Sequence, residues 1–209
     1  WLITRLRLPP FIATMGTLAG LRSAAELITR SVPITCPYPN LRALGSGLTP
    51  LAFFAVTAGL VAALMRSTVI GRQLTALGGN EEAARLSGLP TARLKAVSYL
   101  LSALLASLAG LLYTAYNGQG DPRAGVGYEL QAIAAVVVGG CSLTGGVGSI
   151  AGVALGVVLM QVTLNGIFLV VRSNSTQWQG LVVGVVVILA VALNNARSQR
   201  PTGGERART

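Results

Sequence analysis

An all-α, polytopic transmembrane bundle is the fold class this sequence predicts, on three observations. The formal charges cluster, leaving uncharged runs at 43–65, 96–120, 130–171 and 173–196. Each run exceeds the ~20 residues a helix needs to cross ~30 Å of hydrocarbon. Charged residues make up 11% of the 209 and hydrophobic ones 52%, against roughly 25% charged in soluble domains. The runs also lack the alternation of ~10-residue barrel strands. Lipid admits only helices or closed barrels, because every backbone N–H and C=O needs a partner inside the protein.

The first expected crossing runs from Phe11 to about Thr29, after the Pro9-Pro10 breaker and Arg5 and Arg7, with Arg22 and Glu26 inside it. A polar stretch with Pro33, Pro37 and Pro39 follows. The second runs from about Pro50 to Ile70, with Arg66 near enough to its end to snorkel to the headgroups. A polar loop is expected over 71–95, and the third crossing over Ala96–Asn117, stopped by Gly118, Gly120, Asp121 and Pro122. The run at 130–171 is too long for one helix. Gly139-Gly140 and Gly145-Gly146-Val147-Gly148 divide it into a short span, about 130–143, and a longer one, about 149–171. A last span covers about Gln177–Asn195, so that residues 1–196 form a membrane domain and 197–209 a polar tail.

Six crossings alternate sides, and the basic residues orient them. Segments 1–10, 66–95 and 197–209 hold 11 Lys and Arg, whereas the opposite loops hold 4, namely Arg30, Arg42, Arg123 and Arg172. This bias puts the 71–95 loop and the C-terminus in the cytoplasm. The net charge of +10 therefore expresses membrane orientation and contact with anionic lipid rather than nucleic-acid binding. With no His, and with Cys36 and Cys141 over a hundred residues apart, no metal site, redox pair or thiol nucleophile is expected. No catalytic residues, cofactor or covalent chemistry are expected either. The chain opens at Trp1 without a Met or a basic n-region, which suggests that further N-terminal sequence is missing.

Within the loop, GGNEEAARLSGLP at 78–90 predicts a short helix punctuated at both ends. Gly79 precedes it and Asn80 is the N-cap. Glu81 and Glu82 sit near the positive end of the dipole, Arg85 toward the negative end, and Gly88 with Pro90 stops the helix. Two turns are not stable alone in water, so the helix must rest on the membrane domain or dock into a partner.

The segment GRQLTALGGNEEAARLSGLP at 71–90, then DPRAGVGYELQAIAAVVVGGCSLTGGVGSIAG at 121–152, LPPFIATMGTLAGLRSAAELIT at 8–29 and LNGIFLV at 164–170 together resemble the permease subunits of bacterial ABC importers of the ribose and xylose type. The resemblance implies a multi-pass protein of the bacterial inner membrane. Its implied partners are a cytoplasmic ABC ATPase, an extracytoplasmic sugar-binding protein and a second permease copy. It also implies that the 71–95 loop carries a coupling helix held in a groove of the ATPase, through Gly79, Asn80, Glu81, Glu82, Ala84, Arg85 and Gly88. Members of that family carry further spans before the LPPFI segment, and a small polar residue is usual where Val153 stands.

Several other features have two readings each. Gly148, Gly152 and Gly156 recur at i+4 on one helix face, which suits close helix packing or sliding during gating. GGCSLTGGVGS lacks the GK[ST] ending of a phosphate loop and lies in an apolar run, so nucleotide binding is rejected. Arg22 and Glu26, one turn apart, are either an ion pair holding the first span or polar groups on a sugar path. Gln161 and Asn165 share a helix face and are either sugar contacts or interhelical glue. Asp121, Gly127, Tyr128 and Glu129 mark an outer turn and helix start, or a gate beside a docked binding protein. A nucleoside or branched-chain amino-acid permease is the nearest alternative. A secondary transporter would need midplane carboxylates, and the spans offer only Glu26.

Overall fold

The computed structural model describes residues 3, 9–36, 38–170 and 175–198. The expected positions of Arg5, Arg7, Arg172 and the tail beyond Ser198 lie outside the described residues, and so do residues 172–174 of the 172–180 segment. By its internal contacts the chain divides into two compact units, Trp1–Val126 and Gly127–Thr209.

In the first unit, α1 (Pro10–Thr29) starts with proline in its first turn, where the missing N–H costs nothing, and ends on Arg30 in the left-handed conformation. Strand β1 (Ile34–Thr35) and helix α2 (Pro39–Leu44) follow, within the Pro-rich stretch that the sequence left without structure. Helix α3 (Thr49–Ser67) leads into α4 (Val69–Gly79), α5 (Glu81–Leu86) and the 27-residue α6 (Thr91–Asn117). Two-residue strand β2 (Gln119–Gly120) pairs antiparallel with β1, Ile34 opposite Gly120 and Thr35 opposite Gln119. In the second unit, α7 (Tyr128–Val138), α8 (Ile150–Val170) and α9 (Ser175–Ser198) pack on one another. They share a small core of Ala134, Ala135, Met160, Leu164 and Val183.

Among the described residues three helices are long and apolar enough to cross a membrane, namely α3, α6 and α8. Their surfaces show the solvent they are built for: Leu100 and Leu104 of α6 and Val158 of α8 are more than half exposed, a density of apolar surface that water does not tolerate. Several of their hydroxyls bond to their own helix backbone. Thr57 donates to the Phe53 carbonyl at 2.7 Å, Ser107 to Ala103 at 2.8 Å and Thr163 to Leu159 at 2.9 Å, the i−4 bond that Ser and Thr make when no solvent competes. No buried side-chain nitrogen or oxygen lacks a partner among the described residues.

Two expectations about elements need correction. The 71–95 segment is mostly helical: α4, α5 and the first turn of α6 fill it. Thr68 caps α4 by accepting from the Gly71 N–H at 3.1 Å. Its partly buried Leu74 and Leu77 pack it back against α3 and α6, so polarity marked an amphipathic helix rather than a loop. The short span expected over about 130–143 is an 11-residue helix ending at Val138, about 17 Å long and near half the hydrocarbon thickness. Gly139 and the left-handed Gly140, φ +84°, stop it, because only glycine takes that backbone turn without a Cβ clash.

Candidate coupling site

The α5 helix is assembled from local chemistry before packing touches it. Asn80, with φ −156° and ψ 106°, accepts the Ala83 N–H on its Oδ1 at 3.0 Å, relieving one of the orphan donors of the first turn. Glu81 and Glu82 occupy that turn and Arg85 the last. At the other end Ser87 N donates to the Ala83 carbonyl at 2.9 Å and Leu89 N to the Ala84 carbonyl at 3.1 Å, while Gly88 takes φ +79°. Six residues so closed off still need a tertiary partner. They have two, since α5 packs on α4 and α6.

Ala84 is 5% exposed and forms the inward face. Of the residues expected to face a partner, Ala84 is the one covered by this chain, where α5 packs on α4 and α6. The outward face consists of Glu82, Ala83, Arg85 and Leu86, all exposed, with Leu86 at 80%. Sequence reasoning passed over Leu86. Its signal was a large apolar residue beside the charged run Glu81, Glu82 and Arg85. Glu81 turns the other way and meets Lys95 of α6, Oε1 to Nζ 2.6 Å. Gly79 closes α4, with open space where a Cβ would stand.

At the opposite end of α6, the chain forms a hollow of about 880 Å³ lined by Arg42, Phe54, Tyr116 and Asn117 among others. Gly118, φ +69°, lies directly under the Arg42 guanidinium, where a Cβ would meet Nε at 2.7 Å. Gly45 abuts the Ala115–Tyr116 backbone. Nothing in the sequence pattern linked residues 42–54 to 115–118.

The remaining candidates separate. Arg22 and Glu26 are both half-buried on α1, yet the only ion pair among the described residues is Glu81–Lys95. The expected internal pair is absent, in keeping with the unfavourable order of Arg before Glu on a helix. Gln161 and Asn165 are exposed on α8, and the Asn165 amide donates to the Gln161 backbone carbonyl at 3.0 Å. The bond between helices comes instead from Gln179 of α9, whose Nε2 donates to the Leu164 carbonyl at 3.3 Å. Asp121 caps a turn by accepting the Arg123 N–H at 2.8 Å and belongs to the first unit, whereas Gly127, φ +83°, Tyr128 and Glu129 open α7 in the second. Gly152 and Gly156 lie against the α7 end, with their Cβ positions occupied by the Gly139 and Ala135 carbonyls, while Gly148 precedes α8 and faces Cys141. Among the described residues no three His, Cys, Asp or Glu come together as a metal site would require.

Residues 1–191 match the family described as the permease component of branched-chain amino acid transport systems. The chain belongs to this permease family. It is 37% identical over 204 residues to the ribose import permease protein of Bacillus subtilis and 36% identical over 205 residues to that of Escherichia coli K12, in each case over 94% of this chain and 63% of the relative. It is also 39% identical over 151 residues to the xylose transport system permease protein of Haemophilus influenzae, covering 72% of this chain and 40% of that one. The permease thus spans less than two thirds of the length of these relatives. No solved structure matches it significantly. A permease built of lipid-facing helices is a multi-pass membrane protein, and α5 is its most elaborately capped polar element.

Proposed function

We propose that the protein serves as the transmembrane permease subunit of an ATP-driven ABC importer, moving a monosaccharide or similar polyol into the bacterial cytoplasm across the inner membrane. The observation that carries this reading is α5: a capped two-turn helix, buried on one face, exposed on the other, and joined through α4 and α6 to two apolar helices of crossing length. In this reading a partner ATPase hydrolyses ATP, the outward face of α5 sits in its groove, and an extracytoplasmic binding protein delivers the solute to the opposite side. A second permease copy completes the pathway. The pentose relatives favour a sugar, and the family description makes a branched-chain amino acid the second reading.

Six crossings support a cytoplasmic α5, with residues 1–196 as the membrane domain and 197–209 as the inner tail. Helix α7 is too short to cross alone, so in this reading the glycine-rich turn after it completes that passage. Were the chain to turn back there, Arg172 would move inside and Arg197, Arg200, Arg206 and Arg208 outside. The balance of 11 to 4 would become 8 to 7, and the orienting bias would vanish.

The test is uptake in a strain lacking its own pentose permease, using a full-length gene with its ATPase and binding protein. Labelled ribose or xylose should accumulate only when all three components are present. Uptake of leucine but neither sugar would move the assignment to the second reading. Uptake without the ATPase would end it.

A further inference from the structure

We propose that Lys95 is a positioning residue for energy coupling: its ion pair with Glu81 locks the angle between α5 and α6, so that motion imposed on α5 reaches the membrane rather than being absorbed at the hinge between them. The inference rests on the coupling role of α5 proposed above.

The geometry points to this from three sides. The connection from α5 to α6 is short and turns on one left-handed glycine. Ser87 to Pro90 contains Gly88 at φ +79° with open space where a Cβ would lie, a position that glycine alone occupies without strain. Gly88 N and Leu89 N bond back to the Arg85 and Ala84 carbonyls, so the link is tied to α5, and the side chains that cross to α6 set how α5 is held against it. The packing of Ala84 supplies proximity, but a single methyl against its neighbours does not fix rotation.

The choice Glu81 makes is the second point. Arg85 stands four residues on, in the favourable order for a carboxylate and a cation on one helix. That pair would stabilise α5 only against itself. Glu81 instead reaches Lys95, five residues into α6, with Nζ–Oε1 at 2.6 Å. The Lys95 side chain is 32% exposed, against 55% for Glu81, so its stem lies along protein and its ammonium is held at the junction. Lys95 is also the one lysine in a chain with 16 Lys and Arg. An ammonium is a compact point charge that a junction can accommodate where a planar guanidinium needs a matching face.

The third point is leverage. Helix α6 runs 27 residues from this junction, about 40 Å, to the hollow at Arg42 and Asn117. A fixed angle at its polar end converts displacement of α5 into tilt of a rod whose far end lines that hollow. An exposed pair adds little to global stability, so the readout that tests it is coupling rather than folded yield.

The test uses the complete importer in proteoliposomes, measuring permease yield, ATPase retained on the purified permease, and solute moved per ATP hydrolysed. Lys95→Glu should leave yield and retained ATPase within about twofold of the parent while solute per ATP falls about threefold to thirtyfold, the range over which intervening residues modulate coupling between sites. Lys95→Arg should keep most of the coupling. The exchange Glu81→Lys with Lys95→Glu should recover more than half of what the single change lost, although lysine opposes the helix dipole at that end. Parental solute per ATP in Lys95→Glu would overturn the inference, as would an exchange no better than the single variant. Loss of the ATPase in Lys95→Glu at normal yield would also overturn it, since the pair would then shape the docking face instead. Leu86→Asp tests the underlying reading independently: if it keeps both ATPase and transport, α5 is not the docking element, whatever Lys95 does.

Discussion

Gly139 and Gly152 meet backbone to backbone, so that a Cβ on either would run into the carbonyl of the other. Helix α8 therefore approaches the end of α7 as closely as two main chains can, and Gly156 extends the seam one turn further against Ala135 and Gly139. In lipid, where hydrocarbon tails solvate leucine as well as another helix does, such close approach is a main source of helix association.

Gly152→Leu should prise α7 from α8. Nothing flexible can yield on the far side, because the obstacle is the Gly139 carbonyl. The expected cost is about 3 kcal/mol or more, at the upper end for overpacking, against under about 0.5 kcal/mol for Val158→Leu on the exposed face. Folded yield in detergent should fall sharply for the first and stay level for the second. Equal yields would mean that the seam is not packed.

Gln179→Leu removes the amide that bonds the Leu164 carbonyl across α8 and α9. Side-chain bonds between membrane helices are worth about 0.6 kcal/mol on average, and the carbonyl already accepts within its own helix. The expected result is a small loss of thermal stability with membrane insertion unchanged. A loss as large as that of Gly152→Leu would make Gln179 the main fastener of α9.

Gly88→Val forces a β-branched residue to φ +79° with no steric obstacle around it. The left-handed backbone costs about 1–2 kcal/mol per residue, enough to disorder a two-turn helix but not the membrane unit. Permease levels should stay near normal while ATPase co-purification and uptake fall. Normal uptake by both Gly88→Val and Glu82→Lys would remove α5 from the coupling pathway.

Cys36 and Cys141 are both half-exposed and unpaired, which gives a test of sidedness. In intact cells an impermeant maleimide should label the permease, and Cys36→Ser should abolish the signal. Continued labelling through Cys141 would contradict the six-crossing assignment, because it would put the turn after α7 outside.

The sequence determined where this chain is apolar, where it stops and how each segment is capped. Solvation and capping are local: a long uncharged run must become a helix in lipid, and Asn80, Glu81, Glu82 and Gly88 specify both ends of α5 without reference to any other element. Spacing puts Gly152 and Gly156 on one face, but Gly148 lies before α8, and the partner at Gly139 could not be read from spacing. Tertiary structure decided what depends on a second surface. It made α4 a helix by giving its apolar edge α3 and α6 to lie on, and it turned Ala84 inward and Leu86 outward. It also matched Glu81 with Lys95 rather than Arg85. Helical periodicity says which side chains share a face, but only the position of a neighbouring helix says which face is covered, and that neighbour lies too far along the chain for local spacing to name it.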